Sequence, residues 1–121
     1  MNALSTYAFY GSLRRGMRNY QNFESSLGFL FQEIISGFQL YALEKYPYAV
    51  KTDSASDLMV VEVFKVINPE VEKSIHALEL SVGYYYDEIK IREGNVGIYL
   101  FKKTGTEPLV KSGDWVQFFR S

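Results

Sequence analysis

One carboxylate in this sequence stands where it could act as a base. Glu79 falls at the edge of the apolar stripe of a predicted helix, close to its C-terminal end. A carboxylate there loses hydration and also meets the negative end of the helix dipole. Both effects raise its pKa toward the range in which a carboxylate accepts protons near neutral pH. The pattern is equally compatible with a Glu79 that ends the helix in solvent, so both interpretations stay open.

The helix itself is indicated by its start and its spacing. Asn68 can cap it, Pro69 suits its first position, and acidic residues follow in its first turn. The apolar stripe is formed by Val71, Ile75 and Leu78. This periodicity defines the face to which Glu79 is adjacent.

A second candidate site lies where the first predicted strand meets a glycine. The apolar run ends at Tyr10, and Gly11, Ser12 and Leu13 follow it. Because glycine has no Cβ, a ligand can approach the backbone, and successive N–H groups can converge on an anion or a carbonyl oxygen. The spacing is not that of a P-loop, and a Gly-Ser pair taken alone is more often an ordinary turn.

The other reactive residue types offer less. The chain has no Cys and one His, so thiolate nucleophiles, disulfides and Cys-based zinc sites are excluded. His76 lies off the apolar stripe and is predicted to be a solvated surface residue without a role. Three arginines behind the glycine could meet an acidic substrate, although arginines on a loop are more often solvated: Arg14, Arg15 and Arg18. Tyr86 belongs to a crowd of tyrosines, and its direction is not settled by strand alternation.

Length and composition limit the class of protein. The 121 residues fit one domain, 1–121, and 47% hydrophobic with 22% charged residues is ordinary for a globular protein. A net charge of −1 lacks the basic field that nucleic-acid binding needs, and no apolar run approaches a membrane span. We therefore expect a small-molecule ligand, no nucleic-acid or membrane partner, and by default a cytoplasmic location; the oligomeric state is left open.

The elements that must position these residues are mostly short strands. Aromatic residues make up 17% of the chain and fall in runs separated by Gly and Asn. We predict strands over 6–10, 29–35, 38–43, 58–66, 84–91, 96–101 and 115–119, a short helix over 20–27, and a hairpin across Gly94 and Asn95. Glycine at position 37 is expected to bend the chain.

Taken in order, these segments resemble a known family. Residues 7–16, YAFYGSLRRG, are similar to the opening strand and YGSL loop of the gamma-glutamylcyclotransferase-like family, in its avirulence-induced-gene-like branch. Four further segments agree with the family in order: SGFQLY with YPYAV at 36–50, VEVF at 61–64, Leu78-Glu79 with Gly83-Tyr84, and SGDW at 112–115.

The resemblance implies an α+β fold, a small mixed β-barrel with flanking short helices. It implies an enzyme without metal or cofactor that cyclises a gamma-glutamyl amide to 5-oxoproline and releases the amine. The loop from Tyr10 to Leu13 would hold the glutamyl end through N–H groups, Glu79 would take a proton from the α-amino group, and Tyr86 would line the pocket. A noncatalytic binder of gamma-glutamyl or pyroglutamyl compounds is the alternative.

Three positions depart from the family pattern. His76 stands where an Asp is common, Leu80 follows the acid where Gly is usual, and Glu88 replaces a common Arg. The loop and the acid are intact, so these departures bear on the identity of the substrate more than on the type of reaction.

Overall fold

The computed structural model describes residues 5–92 and 94–120. Its strands are β1 (Thr6–Phe9), β2 (Leu27–Ser36), β3 (Phe38–Ala42), β4 (Pro47–Lys51), β5 (Leu58–Val66), β6 (Tyr85–Ile91) and β7 (Gly94–Leu100). Its α-helices are α1 (Arg18–Phe23), α2 (Pro69–Ser81) and α3 (Trp115–Arg120), and a 3-10 turn (Glu24–Ser26) follows α1.

The strands form a mixed five-stranded sheet and a separate hairpin. The sheet order is β2-β5-β1-β7-β6, in which only the β1 and β7 pair is parallel, while β3 pairs with β4. The α+β class is confirmed, but the predicted closed barrel is not found among the described residues. Gly37, at φ 86°, turns the chain after β2, so β3 leaves the sheet and pairs with β4 instead of closing it.

The C-terminal segment corrects a second expectation. Residues 115–119 were predicted to be a strand, and they lie in helix α3. The Asp114 carboxylate accepts a hydrogen bond from the Gln117 N–H (3.2 Å), which is the role of a helix N-cap. Helical spacing also brings the rings of Phe118 and Phe119 against the buried Trp115, which strand alternation could not do.

Helix α2 begins as predicted, but it buries a different face. The Asn68 side chain accepts a hydrogen bond from the Glu70 N–H (2.9 Å). Ile75 is buried, whereas Leu78 of the predicted stripe is 38% exposed. Glu72 is buried because it accepts hydrogen bonds from the hydroxyls of Ser5 (3.0 Å) and Tyr7 (2.5 Å). The helix thus turns Glu72 and Ile75 toward the sheet and leaves Leu78 at the surface.

A buried ion-pair network fixes the loop after β1. Arg14, expected in solvent, is 3% exposed and bonds through Nε to Glu62 (2.9 Å) and through Nη1 to Asp114 (2.8 Å). Glu62 also accepts bonds from the backbone N–H and from Nε of Arg15, both at 3.0 Å. Because Glu62 lies on β5 and Asp114 just before α3, the loop is bonded to two distant parts of the chain.

This network generates a prediction about stability. Arg14→Met should lower the free energy of unfolding by about 3 kcal/mol, because it removes the most buried partner of the Glu62 carboxylate. Arg15→Met is the matched control and should cost less than about 1 kcal/mol, since the Arg15 side chain is 45% exposed. Urea unfolding measures the free energy of unfolding of both variants. Equal losses would show that the buried ion pair of Arg14 stabilises the protein no more than the exposed one of Arg15.

Candidate active site

A cavity of about 380 Å³ lies where four parts of the chain meet: the end of β1 with its loop, α1, the β3–β4 turn and the end of α2. It brings Glu79 together with all four predicted loop residues, Tyr10, Gly11, Ser12 and Leu13. Its other lining residues include Arg18, Asn19, Asn22, Lys45, Tyr46, Pro47, Leu78, Val82, Tyr84 and Tyr99. Tyr86 does not line it.

Glu79 is the acidic residue of the cavity lining. Its carboxylate has no hydrogen bond or ion pair with any residue in the described part of the chain, and burial raises its pKa from 4.5 to about 7. A carboxylate in this state exchanges protons near neutral pH. It is suited to take a proton from a bound amine and to return it.

The loop that lines the same cavity carries backbone N–H groups. Its carbonyls are engaged, since Gly11 accepts from the Arg14 N–H and Ser12 from the Tyr20 N–H, both at 3.0 Å. The Ser12 hydroxyl accepts a bond from Asn19 Nδ2 (2.9 Å). Within residues 5–92 and 94–120, no protein group accepts a bond from the N–H of Ser12 or Leu13. These two groups therefore remain available to a ligand.

The packing of the protein, as well as the approach of a ligand, requires a residue without a Cβ at position 11. A Cβ added to it would lie 2.7 Å from both Cγ and Cδ of Pro47. The β3–β4 turn thus rests directly on the glycine. Sequence reasoning assigned the missing Cβ to ligand approach and missed this contact, because Pro47 is 36 positions away in the chain.

The wall of the cavity contains four tyrosines: Tyr10, Tyr46, Tyr84 and Tyr99. The Tyr10 hydroxyl donates to the Tyr99 carbonyl (2.6 Å) and accepts from the Ala49 N–H (3.2 Å), while the Tyr84 hydroxyl donates to the Pro47 carbonyl. Tyr10 therefore holds β4 and β7 together at the site. The sequence did not single out Tyr99, because its direction depends on its cross-strand pairing with Tyr86.

Tyr86 and His76 stand differently from their predictions. The Tyr86 hydroxyl donates to Glu88 Oε2 (2.8 Å), and its ring covers Gly97, where a Cβ would lie 2.7 Å from it. This packing keeps Tyr86 outside the cavity, so its predicted substrate contact has no geometric support. His76 was predicted to be solvated; it is half-buried, and its Nδ1 lies 3.0 Å from the Tyr99 hydroxyl.

Comparison with known proteins identifies the family. Residues 7–117 match the family described as gamma-glutamyl cyclotransferase, AIG2-like. The chain belongs to this family. The membership suggests a gamma-glutamylcyclotransferase-like enzyme. A comparison with curated proteins gave no match.

Several solved structures share this fold. The uncharacterized protein PH0828 from Pyrococcus horikoshii is 29% identical, with a TM-score of 0.80 over 95% of this chain and 92% of its own. The protein ytfP from Escherichia coli is 24% identical, with a TM-score of 0.73 over 94% and 98%. An AIG2-like protein from Mus musculus is 15% identical, with a TM-score of 0.69 over 91% and 88%.

Two further features of the described residues bear on the site and its surroundings. No three His, Asp or Glu side chains in residues 5–92 and 94–120 come together as metal ligands would. Within the same ranges, no helix is long and apolar enough to cross a membrane.

The raised pKa of Glu79 predicts a pH-dependent cost in stability. The folded protein is stabilised when Glu79 is protonated. This stabilisation is complete below pH 4.5, the pKa of the side chain in the unfolded chain, and is lost as the pH rises through about 7, its pKa in the folded protein. Glu79→Gln should therefore gain stability over wild type by about 2 kcal/mol more at pH 8 than at pH 4.5. Urea unfolding at both values tests this, with the exposed Glu44→Gln as control. If the free energy of unfolding changed equally with pH in wild type and Glu79→Gln, the burial of the charge would be contradicted.

The contact at Gly11 predicts a packing defect that a second change relieves. Gly11→Ala should lower the free energy of unfolding by about 1–3 kcal/mol, since the new methyl group overlaps the Pro47 ring. Ser12→Ala is expected to cost less than about 1 kcal/mol. Adding Pro47→Ala to Gly11→Ala should recover part of the loss, and the absence of any recovery would place the cause elsewhere.

Proposed function

We propose that the protein is a cyclotransferase that converts a gamma-glutamyl amide to 5-oxoproline and releases the amine. The observation that carries the proposal is the unpaired carboxylate of Glu79 in the same cavity as the free N–H groups of Ser12 and Leu13. The family membership is its second support. The donor is bound as a gamma-glutamyl conjugate of an amino acid, an amine or an isopeptide.

Two polar features of the cavity match the two ends of a glutamyl group. The N–H groups of Ser12 and Leu13 bind the α-carboxylate, because backbone donors that have no protein acceptor favour an anion. Glu79 faces the α-ammonium group. These contacts hold the amine close to the γ-carbonyl carbon, and most of the rate gain follows from that near-attack geometry.

The proton balance of the reaction explains the need for a carboxylate. The α-nitrogen forms a bond to the γ-carbonyl carbon, and the bond from that carbon to the departing nitrogen breaks. Starting from the ammonium form, two protons leave the attacking nitrogen and two arrive on the departing nitrogen. Glu79, with a pKa of about 7, takes up and returns a proton at each stage without the help of a stronger base.

A panel of gamma-glutamyl amides tests the proposal. The purified protein is incubated with conjugates of amino acids, simple amines and the ε-amine of lysine, and 5-oxoproline is detected by mass spectrometry. Stoichiometric release of the amine with 5-oxoproline from at least one donor is expected. Calorimetric binding of 5-oxoproline without turnover of any donor would refute catalysis and leave the noncatalytic binder.

The role of Glu79 predicts both a rate loss and a pH profile. Glu79→Gln should lower kcat by about 10²–10⁴-fold, because the amide keeps the shape of the side chain but cannot accept the proton. In the wild type, kcat/KM should fall tenfold for each pH unit below about 7, since the free protein must carry the ionised base. Glu44→Gln is the exposed control. A Glu79→Gln variant as fast as wild type would remove Glu79 from the mechanism.

A further inference from the structure

A histidine outside the cavity is bonded to a phenol in its wall. Nδ1 of His76, on α2, lies 3.0 Å from the hydroxyl of Tyr99, on β7. Tyr99 lines the cavity, and His76 does not. The imidazole therefore contacts the cavity only through the phenol.

The ring of Tyr99 is held from several sides, so its hydroxyl has a defined position. It stacks on the Tyr7 ring with centroids 6.1 Å apart and planes at 3°, and the Tyr99 carbonyl accepts the bond from Tyr10 (2.6 Å). His76 is itself enclosed, since its ring lies 5.9 Å from that of Tyr86 and 5.8 Å from that of Tyr99. A phenol fixed in this way binds a ligand with little loss of entropy.

Tyr99 and Glu79 both line the cavity. His76 and Glu79 are three positions apart on α2 and so share a face of the helix, which places the partner of His76 near the acid. Burial, and then the charge of Glu79, raise the pKa of Tyr99 above its ordinary value. The phenol keeps its proton at neutral pH and remains a hydrogen-bond donor.

We propose that Tyr99 contacts the substrate and that His76 is its positioning residue. The Nδ1–H of His76 donates to the Tyr99 oxygen, and the Tyr99 hydroxyl donates to the γ-carbonyl oxygen of the bound donor. This inference rests on the proposed cyclotransferase function. That carbonyl oxygen becomes an oxyanion during ring closure, so a fixed donor strengthens its bond in the transition state.

The bond from His76 polarises the phenol. A hydroxyl that accepts one hydrogen bond becomes a better donor in a second, and the effect is larger in a partly dry site. His76 thereby acts on the carbonyl through Tyr99 without touching the substrate. Its position in the sequence is one of the departures from the family pattern noted above, so this arrangement is a feature of this chain.

Two substitutions of His76 separate positioning from packing. The amide of Asn can stand at the place of Nδ1, whereas the longer Gln places its amide nearer to Nε2. We expect kcat of His76→Asn to stay within about threefold of wild type, and kcat of His76→Gln to fall about tenfold with little change in KM. Tyr99→Phe should lower kcat about 10²- to 10³-fold, as for the loss of one oxyanion donor. Tyr41→Phe, which removes a phenol bonded to Gln39 instead, is the matched control.

The double variant His76→Gln/Tyr99→Phe completes the test. It should be no slower than Tyr99→Phe alone, because His76 acts only through that hydroxyl. Multiplicative losses, or equal losses in His76→Asn and His76→Gln, would overturn the proposal. Urea unfolding of each variant identifies any that fail to fold.

The same variants distinguish this inference from the proposed function. If the wild type binds 5-oxoproline but turns over no donor, catalysis is refuted. The roles of His76 and Tyr99 are then tested by the calorimetric affinity of their variants for 5-oxoproline. His76→Gln and Tyr99→Phe should then each weaken 5-oxoproline binding about threefold or more, with Asn restoring it. Unchanged affinity in all three variants would overturn the contact. A wild type that neither binds nor reacts would refute both proposals.

Discussion

The guanidinium of Arg14 is buried between the carboxylates of Glu62 and Asp114, and the placement of the loop beside the cavity depends on it. Arg14 follows the loop directly, so its two ion pairs bond the end of β1 to β5 and to the segment before α3. A buried charge is costly unless it is fully partnered, and this one meets two acids in bonds of 2.9 and 2.8 Å. The Arg14 N–H donates to the Gly11 carbonyl, and the Ser12 carbonyl accepts from the Tyr20 N–H. The N–H groups of Ser12 and Leu13, by contrast, have no acceptor in the part of the chain that the structure describes.

Three carboxylates that are buried or half-buried in the protein differ in their partners. Glu62 is compensated by arginines, and Glu72 by two hydroxyls. Glu79 has neither kind of partner among the described residues, and burial alone raises its pKa to about 7. Stability would favour a neutral side chain at this position, as it does at most partly buried sites. The cost is tolerated at one cavity residue, which is where a proton acceptor of neutral pKa has a use.

The tyrosines of the cavity differ in the partners of their hydroxyl groups. Tyr10 and Tyr84 donate their hydroxyls to backbone carbonyls, on β7 and β4 respectively, so they stiffen the cavity wall and have no donor left for a ligand. Tyr99 differs because its hydroxyl is held by two side chains, those of His76 and Tyr7. Histidine can donate at Nδ1 and leave the phenol proton for a further acceptor. The one His of the chain thus stands behind a cavity tyrosine whose hydroxyl is not used by the backbone.

The features that could be predicted from the sequence are those set by residues close together in the chain. Local pattern predicted helix α2 and its cap, the strand and glycine of the loop, and the bend at Gly37, because capping and glycine conformation act within a few residues. It named Glu79 as a candidate acid but left open whether the side chain meets solvent or a cavity. It did not determine the open sheet or the end of the chain: α3 replaces a predicted strand, since the packing of Phe118 and Phe119 on Trp115 outweighs the β propensity of aromatic residues. Long-range contacts set the burial of Arg14, the packing of Pro47 on Gly11, and the presence of Tyr99 instead of Tyr86 in the cavity lining. Each of these depends on partners tens of positions away, which strand pairing brings together and local pattern does not reveal.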